Sequence, residues 1–180
     1  MLCISIPITV SPTRLGRSRS KALWDITGAN WVEATNSRFC YYDPGTPENN
    51  LDDVVLDKET LLTWTRVLSP TRVPWTEAIR YCWNLTAGNR MGWRVPSYTE
   101  LRSIIDPNAF APAIPVGHPF LGLGGQFLWT TTRLWNDSDI PAVWVIEISV
   151  HDADGTFPIF QGDDTAYTLC VRGGNGYDGF

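Results

Sequence analysis

The order of elements along the 180 residues predicts an α+β fold built on an antiparallel sheet. Three observations carry this reading. A β-prone hairpin comes first, two helices with recognisable start signals follow, and strand-like runs separated by polar turns come last. A composition that is 43% hydrophobic over this length fits a single domain with a sizeable core.

Residues 1 to 37 read as a poorly organised N-terminal extension, although Leu23 to Ile26 and the Trp31-Val32 pair could pack onto the main body. The domain is placed at residues 38–174, with 175–180 as a short tail. Its first elements are Val54-Val55-Leu56 and Leu61 to Thr65, apolar and β-branched runs flanking the polar turn Asp57-Lys58-Glu59-Thr60. Pro74 then opens a segment in which Trp75, Ala78, Ile79, Cys82 and Trp83 recur at i, i+3, i+4, i+7 and i+8. That spacing is one face of an amphipathic helix, which Gly88 is expected to end.

After Gly92-Trp93-Arg94-Val95-Pro96, Ser97 and Glu100 stand three apart ahead of Leu101, Ile104 and Ile105. This is a capping box: hydroxyl and carboxylate each satisfy a free N–H of the first helical turn. Pro107 is expected to end that second helix. Residues 108 to 126 are a Pro- and Gly-rich connection, long enough to be either functional or ordered by its own packing. Three strand-like runs follow, at Phe127 to Thr131, Ala142 to Ser149 and Tyr167 to Arg172.

Charge narrows the partners. The formal net charge is −5, and Arg14, Arg17, Arg19 and Lys21 all precede the first acid, Asp25, leaving 10 basic against 19 acidic residues from residue 22 onward. Such a surface argues against nucleic acid and anionic membrane. No run reaches the roughly 18 to 20 apolar residues of a membrane span, so no membrane insertion is expected. The apolar run MLCISIPITV precedes its charges, the reverse of a secretory leader, which suggests a truncated or mis-started reading frame.

The blocks VVLDKETLLTW (54–64), WTEAIRYC (75–82), GWRVPSYTEL (92–101), FLWTTT (127–132), AVWVIEI (142–148) and YTLCVRGG (167–174) are also familiar as a set. Together they closely resemble the Lcl C-terminal-like domain family, bacterial domains of unknown function named for the C-terminal end of a collagen-like adhesin. The resemblance implies a C-type-lectin-like fold: two helices on an antiparallel sheet, with terminal strands that pair with each other. It implies a secreted or surface-attached protein. The adhesin engages host surface glycans, but this chain is acidic and carries no collagen-like stalk, so sulfated-glycan binding is not carried over.

Cys82 and Cys170 gain a role from the same resemblance. On their own they read equally as a disulfide or as two buried thiols. The family pattern implies the disulfide, joining the first helix to the last strand, and with it an oxidising compartment. The pairing of Cys3 and Cys40 stays open.

For a binding site, the sequence offers Trp135, Asn136, Asp137 and Asp139 in a polar connection, where burying the ring would drag charges inward. Trp135-Asn136-Asp137 is the tripeptide that supplies calcium ligands in sugar-binding C-type lectins, and Asp106-Pro107-Asn108 is similar to its companion. Their positions relative to Cys170 do not match, so no metal and no cofactor are expected. Asp152, Asp154, Asp163 and Asp164 read as turn residues, and His118 and His151 form no spaced pair. Two sequons, Asn84-Leu85-Thr86 and Asn136-Asp137-Ser138, would stay idle in a bacterial protein.

No catalytic residue is assigned. Nucleophile elbow, phosphate-binding loop and dinucleotide glycines are all missing from the sequence, and the lectin-like oxidases need a C-terminal cysteine pair where this chain has Cys170 alone. The expected function is a non-enzymatic extracellular or cell-surface module presenting residues 108–126 and 133–141 to a protein or glycan. The competing expectations are a structural subunit of a surface assembly that packs against its own copies, and a retroelement-diversified variable protein. Trp64, Trp75, Trp83, Trp93, Trp129 and Trp144 are expected to be largely buried.

Overall fold

In the computed structural model the described residues are 31–43, 50–109, 112–134, 142–148, 156–160 and 164–174. They form an α+β domain. Strands β1 (Trp31–Glu33), β2 (Phe39–Tyr42), β3 (Val54–Asp57), β4 (Thr63–Thr65) and β8 (Val171–Arg172) make one antiparallel sheet in the order β1-β2-β3-β4-β8. A second antiparallel sheet runs β5 (Phe127–Leu134), β6 (Ala142–Glu147) and β7 (Thr156–Phe160). Helices α1 (Trp75–Asn84) and α2 (Tyr98–Ser103) lie between β4 and β5 in the chain.

Successive strand residues point to opposite faces, and here both faces are covered. Val54 and Val55 are fully buried neighbours that enter different apolar clusters, and Leu128 and Trp129 divide in the same way. One cluster gathers Phe39, Trp64, Leu101, Ile104, Leu123, Ile146 and Leu169. The other gathers Ala78, Cys82, Trp93, Val95, Trp129, Val145 and Cys170. Continuous apolar runs such as Val54-Val55-Leu56 are the sequence mark of strands buried on both sides.

The hairpin forms as expected, with Val54 opposite Thr65 and Leu56 opposite Thr63. Its turn is organised by Asp57, which is completely buried. The carboxylate accepts hydrogen bonds from Arg38 Nε and Nη2, from Thr60 Oγ1 and from the Glu59 N–H. Burial opposes ionisation, but those donors outweigh it and hold the carboxyl below its ordinary range. Leu61 closes the turn in the left-handed region, at φ 61°, with 56% of its surface exposed.

The capping box is present in full: Ser97 Oγ accepts from the Glu100 N–H, and the Glu100 carboxylate accepts from the Ser97 N–H. The same carboxylate takes both terminal nitrogens of Arg94, at 2.7 and 2.6 Å, and Arg94 also donates to the Gly173 carbonyl. Helix α1 ends at Asn84, earlier than the expected stop at Gly88. Gly88 and Asn89 instead occupy the left-handed region in a two-residue hairpin turn, with Ala87 and Arg90 exchanging both backbone hydrogen bonds.

Four expectations need correcting. Residues 31–33, placed in the unorganised extension, form β1 and pair with β2. Strand β7 is an addition to the three expected runs, and Pro158 lies inside it; among the described residues it pairs with β6 alone, at the sheet edge, where a missing N–H is tolerated. Among the described residues the first and last strands do not pair with each other: β8 joins β4, on the edge opposite β1. Finally, the expected strand from Tyr167 to Arg172 reduces to a bridge at Tyr167 and the two residues of β8.

The Cys82–Cys170 disulfide is present, with Cα atoms 5.6 Å apart and a sequence separation of 88. Both residues are completely buried. Cys170 sits one residue ahead of β8 and exchanges hydrogen bonds with Thr65, through the Thr65 N–H and the Thr65 Oγ1. The disulfide therefore fastens α1 to the seam between β4 and β8. Cys40 is buried in β2, and Cys3 lies outside the described residues.

The long connection is tied down rather than loose. Asn36 donates from its amide to the Val116 carbonyl and from its backbone to the Gly117 carbonyl. Gly117 has φ 82°, and a Cβ there would meet the Asn36 nitrogen at 2.9 Å, so glycine is required for this approach. Arg66 reaches the Pro119 carbonyl, and Ile114, Phe120 and Leu123 are buried. His118 lies between these ties, with Nδ1 buried and unpartnered, and burial lowers its pKa.

Three outcomes are expected. Non-reducing peptide mapping will join Cys82 to Cys170, and Cys170→Ala will lower the unfolding free energy by about 3 to 5 kcal/mol, as an 88-residue closed loop predicts. Leu61→Gly will raise it by about 0.5 to 1 kcal/mol in urea titration, because relieving a left-handed leucine exceeds the added chain entropy of glycine. His118 takes up its proton more readily unfolded, near pH 6.5, than folded, so its contribution is complete above that pH and lost as pH falls toward the lower folded pKa. Chemical denaturation between pH 7 and 5 will accordingly show a loss that His118→Phe reduces.

Candidate functional site

Helix α1 positions the most exposed aromatic ring among the described residues. At 100° per residue, Tyr81, Leu85, Ala78, Cys82, Trp75, Ile79 and Trp83 fall in that order around one continuous apolar arc. The domain covers only part of it. Ala78 and Cys82 are completely buried, and Tyr81, Leu85 and Trp75 are half-buried against the same cluster. Beyond Trp75 the arc runs into solvent, with Ile79 36% and Trp83 73% exposed.

Trp83, expected in the core, lies outside it, because periodicity identifies an apolar arc without fixing how much of the arc the body covers. Trp64, Trp93 and Trp129 are fully buried as expected. Trp75 and Trp144 are only half-buried, each with a contact: Trp75 Nε1 donates to the Thr130 carbonyl, and the Trp144 ring lies 6.1 Å from that of Tyr98.

Ile79 and Trp83 are one turn apart and adjacent on the helix surface. A helical side chain leans over the turn before it, which here is the turn that carries Ile79. Arg80 flanks the pair and is held by Glu77 at 2.5 Å, an exposed i,i+3 ion pair of little energetic weight. The disulfide at Cys82 roots this shoulder in the core. Such a surface offers a flat apolar ring on a rigid support, with a cation and the exposed Thr76 and Asn84 around it.

Other exposed apolar side chains among the described residues are Val116 at 86% and Leu121 at 37% in the long connection, Val32 in β1, Leu61 on the hairpin and Met91 before the tight block. Val116 is presented outward because its own carbonyl and the next are both held by Asn36.

Trp135, Asn136, Asp137 and Asp139 lie outside the described residues, as do Asp152, Asp154, Asp163 and His151. Leu134 and Ala142, on either side of the first group, are register partners. Asp106 is engaged locally: its Oδ1 accepts from the Asn108 N–H and amide, which makes Asp106-Pro107-Asn108 a turn after α2. Among the described residues no three His, Cys, Asp or Glu side chains are grouped so as to hold a metal ion. None of their helices is long and apolar enough to cross a membrane.

The sequence signal that could have located the shoulder was present in the width of the apolar arc on α1. With Tyr81 and Leu85 added to Trp75, Ala78, Ile79, Cys82 and Trp83, the apolar arc spans roughly 200°, about twice the width of one core-facing stripe.

Residues 53–172 match the model of the Lcl C-terminal domain family. Neither the curated proteins nor the solved structures compared with the chain include a match. A match over 120 of 180 residues, spanning the hairpin, both helices, the β5-β6-β7 sheet, β8 and the disulfide, shows that the chain belongs to the Lcl C-terminal domain family.

Proposed function

We propose that the domain is a non-enzymatic binding module on a C-type-lectin-like scaffold, working outside the cytoplasm and engaging a protein or glycan partner through the outer shoulder of α1. The observation that carries this reading is Trp83, a tryptophan 73% exposed on a helix pinned to the core by a disulfide. Leaving so large an apolar ring in water brings no folding stability, and tryptophan is the side chain most enriched at the energetic centres of interfaces. A rigid mount also lowers the entropy lost on binding.

Two further points support it. The Cys82–Cys170 disulfide is compatible with an oxidising compartment. It also occupies Cys170, the one cysteine of the C-terminal half, leaving no thiol there for covalent chemistry. Trp135, Asn136, Asp137 and Asp139 remain proposed secondary contacts. A self-packing structural subunit is the competing reading, since the same shoulder would serve it.

The test is capture of the oxidised domain on arrays of glycans and cell-surface proteins. Trp83→Ala is expected to shift the melting temperature little, as exposed substitutions do, while weakening capture roughly 30-fold or more. Trp135→Ala in the same assay reads the secondary contacts. No capture by the wild-type domain, together with concentration-dependent assembly in light scattering that Trp83→Ala abolishes, would replace this reading with the structural one. Millimolar calcium is expected to leave the melting temperature unchanged; a rise of several degrees that Asp137→Ala removes would establish a calcium site instead.

A further inference from the structure

We draw no further inference here: the strongest candidate, the exposed apolar shoulder of α1 formed by Ile79 and Trp83, belongs to the site already described, and nothing in the structure shows what covers it.

Discussion

The pairing of Arg94 with Glu100 is the interaction on which the rest of the structure depends. Arg94 exchanges both backbone hydrogen bonds with Val171, so the tight block between the helices lies alongside the last strand. Its guanidinium then grips Glu100, which at the same moment caps α2 through the Ser97 N–H, and reaches the Gly173 carbonyl just past β8. One side chain thereby fixes the start of a helix, the path between helices and the exit of the final strand. A planar guanidinium can satisfy a carboxylate and a carbonyl together; lysine, with one ammonium, could not hold that fork. Gly174 is part of the arrangement, since a Cβ there would meet Glu100 Oε1 at 2.7 Å.

Two other arginines repeat the device. Arg38 grips Asp57 and the Ser103 carbonyl, while Arg66 grips Asp53 and the Pro119 carbonyl and stacks on Tyr41 at 4.2 Å. Each joins a buried carboxylate in or beside β3 to a segment far along the chain. The two carboxylates nevertheless differ. Asp57 has donors on several sides and is held below its ordinary range, whereas at Asp53 burial outweighs the single Arg66 partner, neighbouring acids add to it, and the pKa is raised. Electrostatic support for the fold therefore rests more on the hairpin turn than on the strand beginning beside Asp53.

Much of this fold was legible in the sequence because its signals are local. Ser97 and Glu100 announce a helix start by chemistry complete within four residues, and the β3–β4 hairpin is likewise set by its turn. The misses turned on which neighbours the folded body brings alongside, and a local pattern does not hold that. Trp31 to Glu33 form a strand only because β2 lies alongside, and β7 is a strand despite Pro158 because it occupies an edge. Trp83 has the same periodicity as Cys82, and only the assembled body decides that one is covered and the other is not. For the binding site, the sequence pointed to Trp135 from local polarity, while the exposed ring among the described residues lies at the end of an apolar helix arc.

The position of β8 sets a condition on how the domain is made. Strand β4 is complete by residue 65, yet its free edge must wait for residues 171 and 172, over 100 positions later. Cys82 waits similarly for Cys170. A chain emerging from the ribosome, or threading through a translocation pore, thus carries an unpaired strand edge and a reactive thiol for nearly the whole of its passage. Contacts this distant in sequence close slowly, and the interval before closure is when wrong disulfides and edge-to-edge association compete. Production of this domain should therefore be governed less by the stability of the finished fold than by how well its surroundings guard that open edge until the last strand arrives.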